Sequence, residues 1–190
     1  MKKLKICIAG ATGWAGAELS KGVFTSADME LVAAISRSYA GKILGEVIGV
    51  DGLAASIFGS VEEALKTGPD VFVEYTKPDV AKLHVLSALK SGAHVVIGTS
   101  GLSNEDYDEI NRVAKEVNRG VLAVGNFALT VVLLQKFAEM AAKYIPNWEI
   151  IDYAHENKKD LRPRSSPRSR TQHRTNRRRS RAARATPARR

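Results

Sequence analysis

The chain has 190 residues, which suits one ordinary domain or part of a larger protein and is enough to bury a core. Hydrophobic residues at 44% and charged residues at 26% are ordinary for a globular protein. Its longest apolar run is far shorter than the roughly 18 residues that span a bilayer. The single cysteine, Cys7, excludes an internal disulfide framework and favours a reducing, cytoplasmic location.

The net charge of +9 comes from one end of the chain. Residues 161–190 contain twelve arginines, no lysine and no acid, whereas residues 1–160 carry 17 basic and 20 acidic residues. We expect this arginine-rich tail to be disordered, because it has too few hydrophobic residues to bury. Two interpretations stay open. A reading frame shifted after Asp160 is favoured over a basic arm that binds nucleic acid or an acidic partner.

Short apolar strands alternate with helical segments along the rest of the chain. Strands are predicted at 5–10, 31–35, 70–74, 94–97 and 121–124, with a possible strand in 54–58 and another beginning in 148–155. Helices are predicted after the first strand to about residue 23, from 61, over 78–90, over 103–117 and over 134–145. This alternation indicates an α/β fold, a Rossmann-like doubly wound parallel sheet with ligands at the carboxyl ends of its strands.

A glycine-rich segment directly follows the first predicted strand. It reads Gly10, Ala11, Thr12, Gly13, Trp14, Ala15 and Gly16, with the spacing G-x-x-G-x-x-G. Glycines at such a turn let backbone N–H groups approach a pyrophosphate, and the N-terminus of the following helix attracts the anion. A purely structural turn is the alternative, but the position between a strand and a helix favours nucleotide binding.

The end of the second predicted strand bears on which dinucleotide binds. An acid there would bind the ribose 2′-hydroxyl, whereas an arginine would attract a 2′-phosphate. This chain has Ser36, Arg37 and Ser38 at that point and no acid. The sequence therefore favours NADPH over NADH, while the alternative that Arg37 is a solvated loop residue stays open.

Three further segments fall at predicted strand ends and carry small or hydroxyl side chains. They suit a nicotinamide ribose and its neighbours, although each alone also fits ordinary turn chemistry. The candidate residues are Tyr75, Thr76, Gly98, Thr99, Ser100, Gly125, Asn126 and Phe127.

Together with the glycine segment, four stretches resemble the 4-hydroxy-tetrahydrodipicolinate reductase family over residues 1–160. They are Glu74-Tyr75-Thr76-Lys77-Pro78, the Gly-Thr-Ser-Gly of 98–101, Asn126-Phe127 and His155-Glu156-Asn157-Lys158-Lys159-Asp160. The resemblance implies an NAD(P)H-dependent reductase of the diaminopimelate route to lysine, whose substrate is a small cyclic imine dicarboxylate. It also implies that the candidate residues above line the nicotinamide side and that Arg37 contacts the adenosine ribose or its phosphate.

The resemblance further implies a division of the chain and a set of substrate-binding residues. Residues 1–127 would bind the dinucleotide, and 128–160 would begin an α+β substrate domain through which intact family members form tetramers. Lys158 and His155 align with the lysine and the second histidine that act on the substrate. Ala154 replaces the first histidine, the family's usual proton donor, and the Ala-Pro-Ser-Gly-Thr expected after Asp160 is absent. We therefore expect dinucleotide binding with little or no turnover, and no metal site.

Two other functions stay open at this level. The glycine segment also resembles the opening of semialdehyde and acyl-phosphate reductases, but these need a catalytic cysteine, and Cys7 lies inside the first predicted strand. The other alternative is a nucleotide-binding fold without catalysis.

Overall fold

A computed structural model describes residues 2–123 and 129–145, together with the backbone of two strands at 150–155 and 169–174. The chain divides into two compact units, Met1–Gln135 and Lys136–Arg190. Strands and helices alternate through the first unit. They are β1 (Leu4–Ala9), α1 (Trp14–Thr25), β2 (Met29–Ile35), a 3-10 turn (Arg37–Tyr39), α2 (Leu44–Ile48), β3 (Ile57–Phe58), α3 (Val61–Leu65), β4 (Val71–Glu74), α4 (Pro78–Lys90), β5 (His94–Ile97), α5 (Asn104–Glu116), β6 (Val121–Ala123) and α6 (Leu129–Ala142), of which α6 continues into the second unit.

The six strands of the first unit form one sheet in the order β3-β2-β1-β4-β5-β6, and every pair is parallel. This confirms the predicted doubly wound α/β fold. The strand order reverses between β1 and β4, and in such sheets ligands bind in the crevice outside the carboxyl ends of the strands at that point. The glycine segment and the segment after Glu74 both follow strands that border the crevice.

Two apolar layers cover the sheet because successive side chains of each strand point to opposite faces. In β1, Cys7 and Ala9 pack in the layer that includes side chains of α3, α4 and α5, whereas Ile6 and Ile8 pack in the other. This second layer includes Val23 of α1 and Leu44 of α2. Burial on both faces explains why the strands read as nearly continuous apolar runs rather than as alternating ones.

The helix starts follow their sequence signals. Ser103 and Asp106 form a capping box at the start of α5, and Pro78 occupies the first turn of α4. The region between Arg37 and Gly59 contains α2, for which no helix is predicted, and a strand of only two residues, β3, which lies inside the possible strand predicted at 54–58. A five-residue helix is too short to produce a helical period in the sequence. α2, whose Leu44 is buried, is therefore evident only in the structure.

Helix α6 has no buried residue and exposes large apolar side chains, among them Leu129, Leu134, Phe137 and Met140. In the second unit, β7 (Ile150–His155) pairs in parallel with β8 (Ser169–Arg174). β8 lies within residues 161–190, for which the sequence predicts disorder. The rest of the tail lies outside the described residues. Within the helices that are described, none is long and apolar enough to cross a membrane.

Candidate functional site

The turn after β1 brings Gly10 close to two neighbouring strands. Its N–H donates to the carbonyl oxygen of Ile35 at the end of β2, with 3.0 Å between nitrogen and oxygen. Its φ of +79° is a left-handed conformation that favours glycine. A Cβ here would overlap the carbonyl oxygen of Tyr75 and lie 2.8 Å from the carbonyl carbon. Gly10 is therefore required by the close approach of this turn to the end of β4.

The other two glycines of the segment differ sharply from each other. A Cβ on Gly16 would overlap the Gly10 carbonyl oxygen and lie 2.8 Å from its carbon, so α1 packs directly on the turn. Gly13 has an ordinary φ of −77°, and a Cβ there would lie 3.2 Å from the Gly10 oxygen, a tight contact that would need a shift of only a few tenths of an ångström. Packing thus explains Gly10 and Gly16, whereas it explains little of Gly13.

Gly13 is the N-cap of α1, and no side chain caps this helix. The first N–H groups of a helix lack acceptors within the helix, and the helix dipole adds a partial positive charge there. Trp14 at the next position is 93% exposed and leaves the helix end accessible. The N–H groups at this helix end fit a pyrophosphate, and a side chain on Gly13 would project from the same helix end.

The end of β2 is joined to the glycine turn through side chains. The hydroxyl oxygens of Thr12 and Ser36 lie 2.9 Å apart in a hydrogen bond. Arg37 follows Ser36 and is exposed, and within the described part of the chain it makes no ion pair or hydrogen bond. An unpaired guanidinium beside the turn fits the role predicted for it toward a 2′-phosphate.

The ends of β4 and β5 are held together by a buried carboxylate. Glu74 is 0% exposed, and its Oε1 accepts hydrogen bonds from the Thr76 N–H at 2.7 Å, from the Thr76 hydroxyl and from the Thr99 hydroxyl at 3.3 Å. Its Oε2 lies 2.8 Å from Nδ1 of His84, which stands on α4. Two predicted site residues, Thr76 and Thr99, are therefore brought together by one side chain.

Sequence reasoning named neither Glu74 nor His84 as a functional residue. One signal was available for Glu74, since a carboxylate ends an otherwise apolar strand and a buried charge needs a partner. Nothing in the sequence identifies that partner as His84, ten positions further along the chain.

Tyr75 and Gly98 are in close contact at the same edge of the sheet. A Cβ on Gly98 would overlap the Tyr75 ring and lie 2.6 Å from its hydroxyl oxygen, so the ring occupies the space that a side chain at 98 would need. Burial raises the pKa of the Tyr75 phenol. The Gly98 N–H donates to the Glu74 carbonyl at 2.9 Å, while Ser100, two residues on, is exposed.

Several predicted residues cannot be placed in this way. Gly125, Asn126, Phe127 and Lys158 lie outside the described residues, and His155 is placed only as part of the β7 backbone. Among the residues that are described, no cluster of His, Cys, Asp and Glu could hold a metal ion.

Cys7 bears on one of the alternative functions. Its side chain is fully buried, and burial, reinforced by the negative charge of Glu74, raises the pKa of the thiol to about 12. A thiol that stays protonated and out of reach of solvent is a poor nucleophile. This argues against the semialdehyde and acyl-phosphate reductases, whose chemistry needs a reactive cysteine.

Known proteins share both the sequence and the fold of this chain. The family described as "Dihydrodipicolinate reductase, N-terminus" matches residues 4–127. The 4-hydroxy-tetrahydrodipicolinate reductase of Syntrophomonas wolfei is 38% identical over 160 residues, which are 84% of this chain and 60% of that protein. This chain thus spans about 60% of the length of the curated relatives that it matches.

Two solved structures extend the comparison. A dipicolinate-bound dihydrodipicolinate reductase from Paenisporosarcina sp. TG-14 is 31% identical, with a TM-score of 0.64 over 84% of this chain and 61% of that one. An NAD-binding protein from Listeria innocua is 24% identical, with a TM-score of 0.57 over 81% of this chain and 45% of that one, and shares the fold alone. With the sequence match over 4–127 and a Rossmann-type sheet ending in this glycine turn, the chain belongs to the dihydrodipicolinate reductase family.

Proposed function

We propose that this chain is an NAD(P)H-binding member of the cytoplasmic diaminopimelate route to lysine, in the lineage that reduces 4-hydroxy-tetrahydrodipicolinate. The observation that carries the proposal is the glycine turn at the point where the strand order reverses. Of its three glycines, Gly13 has the weakest packing reason to be glycine, which is expected where a ligand needs the space. When bound, a reduced nicotinamide supplies the hydride for reduction of a cyclic imine dicarboxylate.

The adenosine and pyrophosphate half would be held mainly by backbone. The N–H groups of Gly10 and Gly13 donate to the Ile35 and Gly10 carbonyls, so those of Ala11, Thr12, Trp14 and Ala15 would donate to the pyrophosphate. The hydrogen bond between Thr12 and Ser36 keeps the turn against the end of β2. Arg37 neutralises a 2′-phosphate, and no acid at this strand end repels it. NADPH should accordingly bind at least as tightly as NADH.

The nicotinamide half would contact side chains at the ends of β4 and β5. Thr76 and Thr99 offer hydroxyls there, and Tyr75 and Gly98 form the adjacent surface. By family resemblance, residues 125–127 complete this side, and Lys158 and His155 neutralise the substrate carboxylates. Ala154 offers no proton in place of the family's first histidine, so Lys158 or water would have to supply it.

Substrate turnover should be weak in this chain. The family's Ser-Gly-Thr carboxylate-binding stretch is missing after Asp160, so the substrate lacks hydrogen bonds that orient its ring. Misplacement of reacting groups costs on the order of 100-fold in rate.

One pair of measurements on the 190-residue chain tests the proposal. Titration with NADPH and with NADH, followed by nicotinamide fluorescence, should show saturable binding of both. A steady-state assay with freshly generated substrate should show turnover far below the usual enzyme range of about 1–1,000 per second. Absence of dinucleotide binding would contradict the assignment, while turnover within that range would contradict only the impairment.

A further inference from the structure

We propose that Glu74 and His84 form a positioning pair that orients Thr76 and Thr99 as hydrogen-bond acceptors for the nicotinamide half of the cofactor. The inference rests on the proposed dinucleotide function and adds to it two residues that do not themselves contact the ligand. Four observations carry it: the burial of the carboxylate, the division of work between its oxygens, the restraint on His84 and the direction of the threonine hydroxyls.

Side-chain packing alone does not account for a carboxylate at the Glu74 position. The carboxylate is fully buried at the end of a strand whose other residues are Val71, Phe72 and Val73. Removing a charge from water costs several kcal/mol by general estimates, and replacing a buried ion pair by apolar residues is often neutral or stabilising. An apolar residue would therefore suit this position at least as well if packing were its only task.

The two carboxylate oxygens serve different partners. Oε1 faces the strand ends and accepts from the Thr76 N–H, the Thr76 hydroxyl and the Thr99 hydroxyl. Oε2 faces α4 and pairs with Nδ1 of His84 at 2.8 Å. Oε2 thus anchors the carboxylate, and Oε1 holds the two segments that the proposed function assigns to the nicotinamide.

His84 is itself held in place, which makes it an effective anchor. Its side chain is only 15% exposed, and its ring meets Phe72 edge to face at 6.5 Å between centroids. Because Phe72 and Glu74 both lie on β4, these contacts hold the imidazole against the same strand that carries the carboxylate. Rotation of the Glu74 side chain would break the bond to His84 and the bonds to both threonines together.

The direction of the hydroxyl hydrogens gives the pair a chemical consequence. A threonine hydroxyl has one hydrogen to donate and two lone pairs that accept. In both threonines that hydrogen is directed to Glu74, either its carboxylate or, for Thr99, also its carbonyl oxygen at 3.3 Å. The lone pairs that remain on each hydroxyl can then only accept, which suits ligand donors such as ribose hydroxyls and the carboxamide N–H groups of nicotinamide.

The test separates the two halves of the cofactor. Dissociation constants of the full chain and its variants are measured for NADPH and for 2′,5′-ADP, which contains the adenosine half alone. His84→Leu should weaken NADPH binding about tenfold, because Glu74 no longer holds the threonines in place and the ligand loses the equivalent of one hydrogen bond, about 1.4 kcal/mol. Binding of 2′,5′-ADP should stay within about twofold of wild type, because the glycine turn and Arg37 are unchanged.

His84→Asn is the matched control, since its side-chain amide can place an N–H donor close to where Nδ1 of the imidazole stands. His84→Asn should restore most of the NADPH affinity. Such a recovery would not be expected if His84→Leu acted only through a loss of packing. Should His84→Leu fail to fold, Glu74→Gln serves in its place. This variant keeps the volume but replaces charge-assisted bonds by neutral ones of about half the strength, so NADPH should bind about threefold more weakly.

The outcomes separate this inference from the proposed function. Wild-type chain that binds neither NADPH nor 2′,5′-ADP would contradict the proposed function. Wild-type binding together with variants that lose both ligands equally, or lose neither, would overturn the positioning role and leave the proposed function intact. A selective loss of NADPH affinity that His84→Asn repairs supports the pair as assigned.

Discussion

At the end of β1, three glycines keep side chains away from a backbone turn, whereas at the ends of β4 and β5 a buried carboxylate holds two threonine hydroxyls. The two regions adjoin, since a Cβ on Gly10 would meet the Tyr75 carbonyl. In the proposed function, the first region binds through backbone groups that every residue has and depends on the absence of side chains at its glycines. The other depends on particular side chains in one arrangement.

This difference determines at which residues a substitution can change ligand binding without changing the stability of the fold. At Gly10 and Gly16 the same close contacts that shape the turn also pack α1 and β4, so a change there affects both properties. At Gly13 the packing demand is smaller than at Gly10 and Gly16, and a change should act more on the ligand than on the fold. At the ends of β4 and β5 the side chains can be exchanged for isosteres, so the two properties separate more readily.

The largest effect is expected at Gly10. Gly10→Ala adds a Cβ where φ is +79° and where the Tyr75 carbonyl leaves no room. Backbone strain and overpacking together should lower the free energy of unfolding by roughly 3–5 kcal/mol. Urea denaturation measures this loss. Gly22→Ala is the matched control, because Gly22 lies in α1 with open space around its Cβ position, and it should raise stability by about 0.5–1 kcal/mol.

The next largest effect should come from Gly13→Asp. Aspartate is a favoured N-cap, which should offset the tight contact of its Cβ with the Gly10 oxygen, while the carboxylate repels a pyrophosphate at the same helix end. Dinucleotide affinity should fall at least about 100-fold, equivalent to about 2.7 kcal/mol. Gly13→Asn has nearly the same shape without the charge and should lose less. Unchanged NADPH binding by folded Gly13→Asp protein would place the pyrophosphate elsewhere.

A smaller and more selective effect is expected at Arg37. Arg37→Ala should weaken NADPH binding about tenfold, the lower range for a lost bond to a charged group, and should leave NADH binding nearly unchanged. Parallel fluorescence titrations with both dinucleotides measure the ratio. Arg112→Ala removes the same charge from an exposed site on α5 and should change neither affinity. Equal losses for both dinucleotides after Arg37→Ala would show that this side chain does not read the 2′-phosphate.

The smallest effect should be seen at Ser103, where stability can be lowered away from both regions. Ser103→Ala removes the hydroxyl that accepts from the Asp106 N–H at 3.2 Å in the α5 capping box. The free energy of unfolding should fall by about 1 kcal/mol. Cofactor affinity should not change, and a parallel fall in NADPH binding would mean that modest destabilisation alone explains losses seen with other variants.

The sequence by itself determined the sheet, the order of its main elements and the family. Apolar runs, glycine spacing and helix caps are local patterns, and each arises from interactions within a few residues. This is why the strands around Cys7, Phe72 and Val95 and the helix that starts at Pro78 were predicted close to their observed positions. α2 was not predicted, because its five residues are too few for a helical period and no side chain caps its start.

Only the tertiary structure decided which residues of these motifs do which work. Gly13 and Gly16 look alike in the sequence, and they differ because α1 packs the second of them against the Gly10 carbonyl. Glu74 and His84 are ten residues apart, and they meet because α4 folds back along β4 to bring the imidazole to the carboxylate. Contacts of this kind depend on how elements pack together, and that packing leaves no periodic trace in the chain.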